Sequence, residues 1–191
     1  LRPIGTEYIN TTYTSKKMNV PGRITANKHY RRKGTGLQNT TDSGTGQNVC
    51  FIETGDWNEF MLNVADAGTY NLTFRVASLT ISGKFDILVN DVVVKTDETF
   101  PITGGYQTYA DKLVSGVTLP KGEVYLKIKF KSDDMNFNFI DITAANLGVN
   151  EPIIEKDFFT VYPNPIKTQS TLHIKSDVTE PLSLKIIDMK G

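Results

Sequence analysis

Apolar and polar residues alternate along two stretches of the chain, and this alternation limits the fold more than any other feature. Polar residues separate Tyr70, Leu72, Phe74 and Val76, and the same pattern recurs over residues 122–131. A side-chain period of two is typical of a β-strand with one buried face. No stretch shows a convincing helical period, so the sequence predicts an all-β fold.

Turn residues divide these strands at short intervals. Residues 85–94 predict a hairpin that turns at Asn90 and Asp91, because Asn and Asp tolerate left-handed backbone. Many short antiparallel strands favour a sandwich or a closed barrel. We assign this domain to residues 22–147. Residues 1–21 show no sustained period, and we interpret them as a linker or peripheral segment.

A second region follows a break in the pattern. We interpret residues 148–157 as a linker, and residues 158–191 again show strand patterning. The predicted strands are 158–162, 172–175 and 182–187. Three short strands bury little apolar surface by themselves. We therefore expect a truncated second domain, a partial β-sandwich-like unit.

Composition excludes several classes of function. Lys plus Arg and Asp plus Glu are both 21, so the formal net charge is zero and neither nucleic acid nor anionic lipid is expected as a partner. No apolar run approaches the ~18 residues of a membrane helix. The single cysteine, Cys50, excludes an internal disulfide and a cysteine-based zinc site.

The sequence lacks a recognisable catalytic constellation. His29 and His173 fall in different predicted domains, and neither accompanies a nucleophile motif. Glu53, Asp56 and Glu59 are the best glycosidase candidates. A turn is predicted at Asp56, so we interpret all three as turn and surface residues. Two acidic pairs in predicted loops receive the same interpretation: Asp97–Glu98 and Asp133–Asp134.

Residues suited to sugar binding follow the glycine-containing loops. A sugar ring has apolar faces and a hydroxyl rim, which aromatic and amide side chains recognise. Phe51 follows the loop at 44–48, and Tyr106 follows two glycines. Both are candidate stacking residues at one end of the predicted sandwich.

An amide-rich segment is the third candidate for sugar binding. Asn136 and Asn138 alternate with Phe137 and Phe139, which predicts two amides on one strand face and two phenyl rings on the other. Two interpretations stay open. The amides bind a ligand, or they only cap a strand whose phenyl rings lie in the core.

Five segments, in order and with matching gaps, resemble family six carbohydrate-binding modules. They are residues 23–57, 67–77, 103–109, 119–122 and 136–140. The resemblance covers about residues 22–147. It implies a jelly-roll β-sandwich whose ligand site lies in loops at one edge.

In that family two aromatic side chains sandwich a sugar and an asparagine hydrogen-bonds it. The matching positions are Phe51, Tyr106 and Asn136, with Asn138 beside them. The commonest pattern has Tyr in place of Phe51 and Trp in place of Tyr106. Each stack is worth ~0.5–1.5 kcal/mol, so these departures imply weaker affinity or a different target.

The resemblance also bears on two further family features, a second ligand site and a structural calcium. Some members use a second site on the concave sheet face, which Trp57 and Gln38 match, although partly buried packing also explains the only tryptophan. The usual structural calcium has acidic ligands, but residues 24–27 read Ile-Thr-Ala-Asn. With Asn27 and Asp141 as the best remaining ligands, we expect a weakened or absent calcium site.

The C-terminal region has a separate resemblance. Residues 159–165, Phe-Thr-Val-Tyr-Pro-Asn-Pro, together with 184–191, resemble the C-terminal sorting domain of the type nine secretion system of Bacteroidota. This implies a secreted or outer-surface protein that engages the secretion machinery. Because Leu1 does not open a signal peptide, we expect further residues upstream.

The sequence therefore predicts a non-catalytic module that binds a plant or algal polysaccharide. It would target a secreted polysaccharide-degrading enzyme, with a glycoside hydrolase as parent, to its glycan. The alternative is a cell-surface interaction or adhesion module whose sugar site has decayed. An enzyme within this chain is the third hypothesis, which the missing constellation disfavours.

Overall fold

A computed structural model describes residues 7–9, 16–43, 46–145, 159–162 and 171–174. The chain forms two compact units, Leu1–Leu147 and Gly148–Gly191. In chain order the strands are β1 (Glu7–Ile9), β2 (Met18–Val20), β3 (Gly22–Thr25), β4 (Arg31–Lys33), β5 (Gly36–Asn39), β6 (Gln47–Cys50), β7 (Trp57–Val64), β8 (Gly68–Ser78), β9 (Lys84–Val89), β10 (Val92–Thr99), β11 (Ala110–Leu119), β12 (Gly122–Phe130), β13 (Met135–Ala144), β14 (Phe159–Tyr162) and β15 (Thr171–Ile174). A short 3-10 helix spans Ala26–Lys28.

Two sheets make up the first unit. One has the order β1-β4-β7-β12-β9-β10, with β2 parallel to β7. The other has the order β11-β8-β13-β6-β5, with β3 paired to β13. Apart from β2, the pairs are antiparallel. The predicted all-β sandwich is confirmed.

The core lies between the two sheets. Alternate residues of β8 and β12 enter it, as the period of two predicts. Phenyl rings occupy its centre, where Phe74 lies 5.0 Å from Phe85 and 5.8 Å from Phe137 between ring centroids. The predicted hairpin is present as β9 and β10, and Asn90 and Asp91 adopt φ values of 50° and 64°.

The N-terminal segment contributes to this sandwich. Strand β2 pairs with β7 in parallel, and Val20 is 1% exposed within the core. Strand β1 pairs with β4 at the edge of the same sheet. The sandwich therefore begins before residue 22. Three-residue strands are too short to show a period in the sequence.

A bulge in β13 alters the predicted face of one phenyl ring. Phe137 pairs with Val76, whereas Phe139 pairs with Arg75, so Asn138 is the extra residue. Phe137 lies in the core. Phe139 lies instead beneath the guanidinium of Arg23, 3.7 Å from the ring centroid. The expectation that both rings share the core face is wrong.

In the second unit, β14 and β15 form an antiparallel hairpin, with Phe159 opposite Ile174. These strands correspond to two of the three predicted in this region. The predicted linker at 148–157 and the strand at 182–187 lie outside the described residues. Within the described ranges, no helix has the length and apolar character needed to cross a membrane.

Candidate functional site

A cavity of about 840 Å³ opens at one end of the second sheet, where β6 ends and β13 begins. Its volume lies within the range of small-ligand sites. Residues from five regions line it: Gln38, Cys50, Phe51, Ile52, Glu53, Ile81, Tyr106, Asp133, Asp134, Met135 and Asn136. Phe51, Tyr106 and Asn136 therefore meet in one cavity.

The backbone of Phe51 presents its ring to solvent. Phe51 adopts a φ of 52°, and its residue is 62% exposed. Its neighbours Cys50 and Ile52 are each 2% exposed. The left-handed conformation is unfavourable for a residue with a side chain, and such conformations concentrate at functional sites. Here it turns one ring outward between two buried residues.

Gly36 makes room for that ring. It lies opposite Cys50 in the β5–β6 pair. A Cβ atom at Gly36 would lie 2.7 Å from Cδ2 of Phe51, closer than carbon atoms normally approach. The glycine was not singled out by the sequence analysis, because the contact depends on the turned backbone of Phe51.

Tyr106 is held at both its backbone and its hydroxyl. The phenol donates a hydrogen bond to the carboxylate of Asp134, which raises the pKa of the Tyr106 hydroxyl. The side-chain amide nitrogen of Asn136 donates to the carbonyl oxygen of Tyr106. Asn136 thus fixes the aromatic loop as well as lining the cavity. Asp134, interpreted above as a loop residue, fixes the ring.

The residue after Tyr106 anchors the same loop to the neighbouring strands. Nε2 of Gln107 donates to Oδ1 of Asn48 at 3.3 Å, and Oε1 of Gln107 accepts from the backbone N–H of Thr41 at 2.9 Å. On the other side, the N–H of Gly104 donates to the carbonyl oxygen of Ser78 at 3.0 Å. The ring of Tyr106 therefore extends from a loop that is tied at both ends.

Asn138 occupies a different place from Asn136. Its side chain is fully buried, and Nδ2 donates to Oδ2 of Asp42 at 2.9 Å. Arg75 also donates to both oxygens of Asp42, at 2.9 and 3.0 Å. These bonds hold the pKa of Asp42 below its usual value, with the Arg75 contact as the main cause. Asn138 does not line the cavity; it secures the connection between β5 and β6.

The two residues matched to a second site lie on different sheets. Gln38, in β5, lines the cavity with Phe51, whereas Trp57 begins β7 in the opposite sheet. The cations of Arg31 and Lys127 lie 5.8 and 5.1 Å from the Trp57 ring. Trp57 does not line the cavity that Gln38 lines, and a second site that uses both residues stays a prediction.

A smaller cavity of about 460 Å³ lies on the same sheet as Trp57. Tyr30 and Tyr125 form part of its wall, with ring centroids 5.6 Å apart. Glu59 also lines it. Its carboxylate is 1% exposed and accepts from Arg31 at 2.6 Å, with Lys127 at 3.2 Å. The interpretation of Glu59 as a surface residue is wrong, because strand β7 turns its side chain toward two cations.

Asp56 lies in a turn as predicted, but it is 6% exposed, so its interpretation as a surface residue is wrong. Its Oδ2 atom accepts a hydrogen bond from the backbone N–H of Glu53 at 3.0 Å, and its backbone N–H donates to the carbonyl oxygen of Glu53. These contacts close the turn that leads from the cavity to β7.

The residues near Asp141 do not fit a calcium site. Both carboxylate oxygens of Asp141 accept hydrogen bonds from Arg23, at 2.7 and 2.6 Å. Asn27 supplies only an amide. In the part of the chain that the structure describes, no group of three or more His, Cys, Asp or Glu residues could hold a metal ion. The guanidinium of Arg23 thus pairs with the carboxylate of Asp141, one of the two residues expected to remain as calcium ligands.

An edge cavity with two aromatic side chains and an amide, on a two-sheet sandwich, is typical of a glycan-binding β-sandwich domain. Sequence comparison agrees with this class. Residues 25–146 match the family described as carbohydrate binding module (family 6), and the chain belongs to that family.

Solved structures of related modules share the fold. A family 6 module from lichenase 5A of Cellvibrio mixtus, solved with cellotriose, is 32% identical; the match covers 65% of this chain and 97% of that module, with a TM-score of 0.60. A β-1,3-glucan-binding family 6 module from Bacillus halodurans is 26% identical; the match covers 68% of this chain and all of that module, with a TM-score of 0.61. The jelly-roll prediction is confirmed.

A longer curated protein also matches. The clotting factor G alpha subunit of Tachypleus tridentatus is 26% identical over 160 residues, which are 79% of this chain. The match spans only 24% of that subunit.

Proposed function

We propose that the chain binds a polysaccharide in the cavity between Phe51 and Tyr106, without catalysing its cleavage, and so targets a secreted polysaccharide-degrading enzyme to a plant or algal glycan. The observation that carries this proposal is the meeting of both rings with Asn136 in one cavity. Family membership supports glycan binding; the target and the parent enzyme are our inference.

The rings and polar groups fit the two sides of a sugar. Phe51 and Tyr106 are 62% and 39% exposed, so each offers an aromatic surface to the apolar face of a pyranose ring. Gln38 and Asn136 provide amides for the hydroxyl groups. Two stacks worth ~0.5–1.5 kcal/mol each give a modest affinity for one sugar site. The repeated units of a polymer and the tethered enzyme raise the effective concentration, so the protein is retained on the glycan despite this modest affinity.

The origin of the solved relatives supports the targeting role. The Cellvibrio mixtus module belongs to a lichenase and was solved with cellotriose. We extend this arrangement to the present chain, with a glycoside hydrolase as the parent protein. Holding such an enzyme near an insoluble glycan raises its effective substrate concentration.

Affinity electrophoresis on gels containing neutral polysaccharides tests the binding function. The wild type should be retarded by at least one of β-1,3-glucan, β-1,4-glucan, xylan or agarose. Phe51→Ala and Tyr106→Ala should each weaken retention roughly 2- to 12-fold, because each removes one stack. Val92→Ala is the matched control, since Val92 is 65% exposed in β10 and does not line the cavity.

Two results would count against this function. Retardation of the wild type by none of these glycans would refute it. Full retention by Tyr106→Ala would favour the alternative, an interaction module with a decayed sugar site.

We also propose that residues 158–191 serve as a secretion signal for the type nine system. The Tyr-Pro-Asn-Pro motif at 162–165 supports this proposal. Cell fractionation, followed by immunoblotting, should find the protein at the cell surface or in the medium. Cells without a functional outer-membrane translocon should retain it in the periplasm; unchanged export from such cells would refute the proposal.

A further inference from the structure

Charged side chains in the main cavity all have the same sign. Glu53, Asp133 and Asp134 line it, and the lining includes no Lys, Arg or His. All three carboxylates come from the two loops that flank Phe51 and Asn136. Every charged side chain that a ligand stacked on Phe51 meets in this cavity lining is therefore negative.

Two of these carboxylates are fixed in place. Asp133 accepts hydrogen bonds from the backbone N–H of Thr54 at 2.6 Å and from its hydroxyl at 2.8 Å. Asp134 accepts a hydrogen bond from the hydroxyl group of Tyr106. Because these contacts hold the side chains, the carboxylates cannot turn away from an incoming anion without breaking hydrogen bonds.

The lysine nearest in sequence to Asp133 and Asp134 does not neutralise these two carboxylates. Lys131 precedes the acidic loop by two residues, but its ammonium group lies 2.6 Å from Asp97 and 3.5 Å from Asp86. Both partners belong to β9 and β10 of the opposite sheet. The charge of Lys131 is thus directed away from the cavity.

We infer that this cavity selects uncharged glycans and discriminates against sulfated or uronate-containing ones, an inference that rests on the proposed function. A carboxylate accepts hydrogen bonds from the hydroxyl groups of a neutral sugar. It repels a sulfate or a carboxylate on the ligand. In a water-like dielectric at about 8 Å, one such pair of like charges weakens binding about twofold, so three weaken it roughly eightfold at low ionic strength.

Matched polysaccharides with a common backbone provide the test. The pairs are hydroxyethylcellulose with carboxymethylcellulose, laminarin with sulfated laminarin, and agarose with sulfated agarose. Affinity electrophoresis at low salt should show roughly eightfold stronger retention by the neutral member of the pair that binds, and added salt should narrow the difference. Equal retention, or stronger retention by the anionic member, would overturn the inference but leave glycan binding intact.

A double variant identifies the source of the selectivity. Glu53→Gln with Asp133→Asn removes two charges and leaves Phe51, Tyr106 and Asn136 in place. The ratio of retention by the neutral member to retention by the anionic member should fall about fourfold, whatever change the lost carboxylates cause in retention by the neutral member.

The control double variant, Asp66→Asn with Asp111→Asn, removes the same charge from exposed positions outside the cavity. It should keep the wild-type preference. If the preference for the neutral glycan falls equally in both double variants, then the net charge of the protein sets the selectivity and the cavity does not. That result would refute the inference. A wild type that binds no neutral glycan would refute the proposed function itself.

Discussion

Replacing Gly36 with alanine should weaken glycan binding although no atom that contacts the ligand is removed. The new Cβ would lie 2.7 Å from Cδ2 of Phe51, whereas carbon atoms in contact lie about 3.5–4.0 Å apart. The exposed ring must therefore retreat by about 1 Å. That displacement gives up much of a stack worth ~0.5–1.5 kcal/mol, so the dissociation constant should rise roughly 2- to 10-fold.

The stability of this variant should stay close to that of the wild type. Gly36 lies in strand β5 and its φ is not in the left-handed region, so alanine fits the backbone, and the Phe51 ring has open solvent to move into. We expect a change of less than about 1 kcal/mol in the free energy of unfolding.

Isothermal titration calorimetry and urea unfolding, carried out on the same samples, measure both quantities. Gly46→Ala is the matched control, because nothing lies within 4 Å of a Cβ at Gly46. It should bind as the wild type does. If Gly36→Ala folds normally and keeps its full affinity, then Phe51 does not depend on this glycine and the reasoning is wrong.

Three further outcomes follow from local conformation and charge. Phe51→Gly should be about 1 kcal/mol more stable than Phe51→Ala, because the φ of 52° strains any residue with a side chain; greater stability of the alanine variant would contradict this. Burial lowers the pKa of His29 from 6.5 to about 4, so the unfolded chain takes up a proton first as the pH falls. Urea unfolding should therefore show that the free energy of unfolding decreases by about 3 kcal/mol between pH 6.5 and 4. The variant His29→Phe should lose most of this pH dependence. An equally steep decrease in that variant would argue against His29 as the cause. Because Arg23 already pairs with Asp141, neither calcium nor a chelator should change Tm, and a rise of several degrees with calcium would show that the site accepts the ion.

Much of the candidate site was predictable, but its supporting contacts were not. Phe51, Tyr106 and Asn136 were named from the family resemblance, and they meet in one cavity. Gly36 and Asp134 were not recognised as site residues. Gly36 contacts the ring of Phe51, whose backbone is left-handed, and Asp134 binds the hydroxyl of Tyr106, which is distant in sequence. No local sequence pattern therefore identifies either residue.

The sequence by itself determined the long alternating strands β8 and β12, their buried faces and the hairpin turn at Asn90 and Asp91, because a period of two and turn preferences are local properties of the chain. Tertiary structure alone decided where individual polar and aromatic side chains lie. Arg23 meets Asp141 from 118 residues away, and a bulge at Asn138 takes Phe139 out of the core. Strand pairing and bulges set such contacts, and both depend on which distant segments come together rather than on the pattern within any one of them.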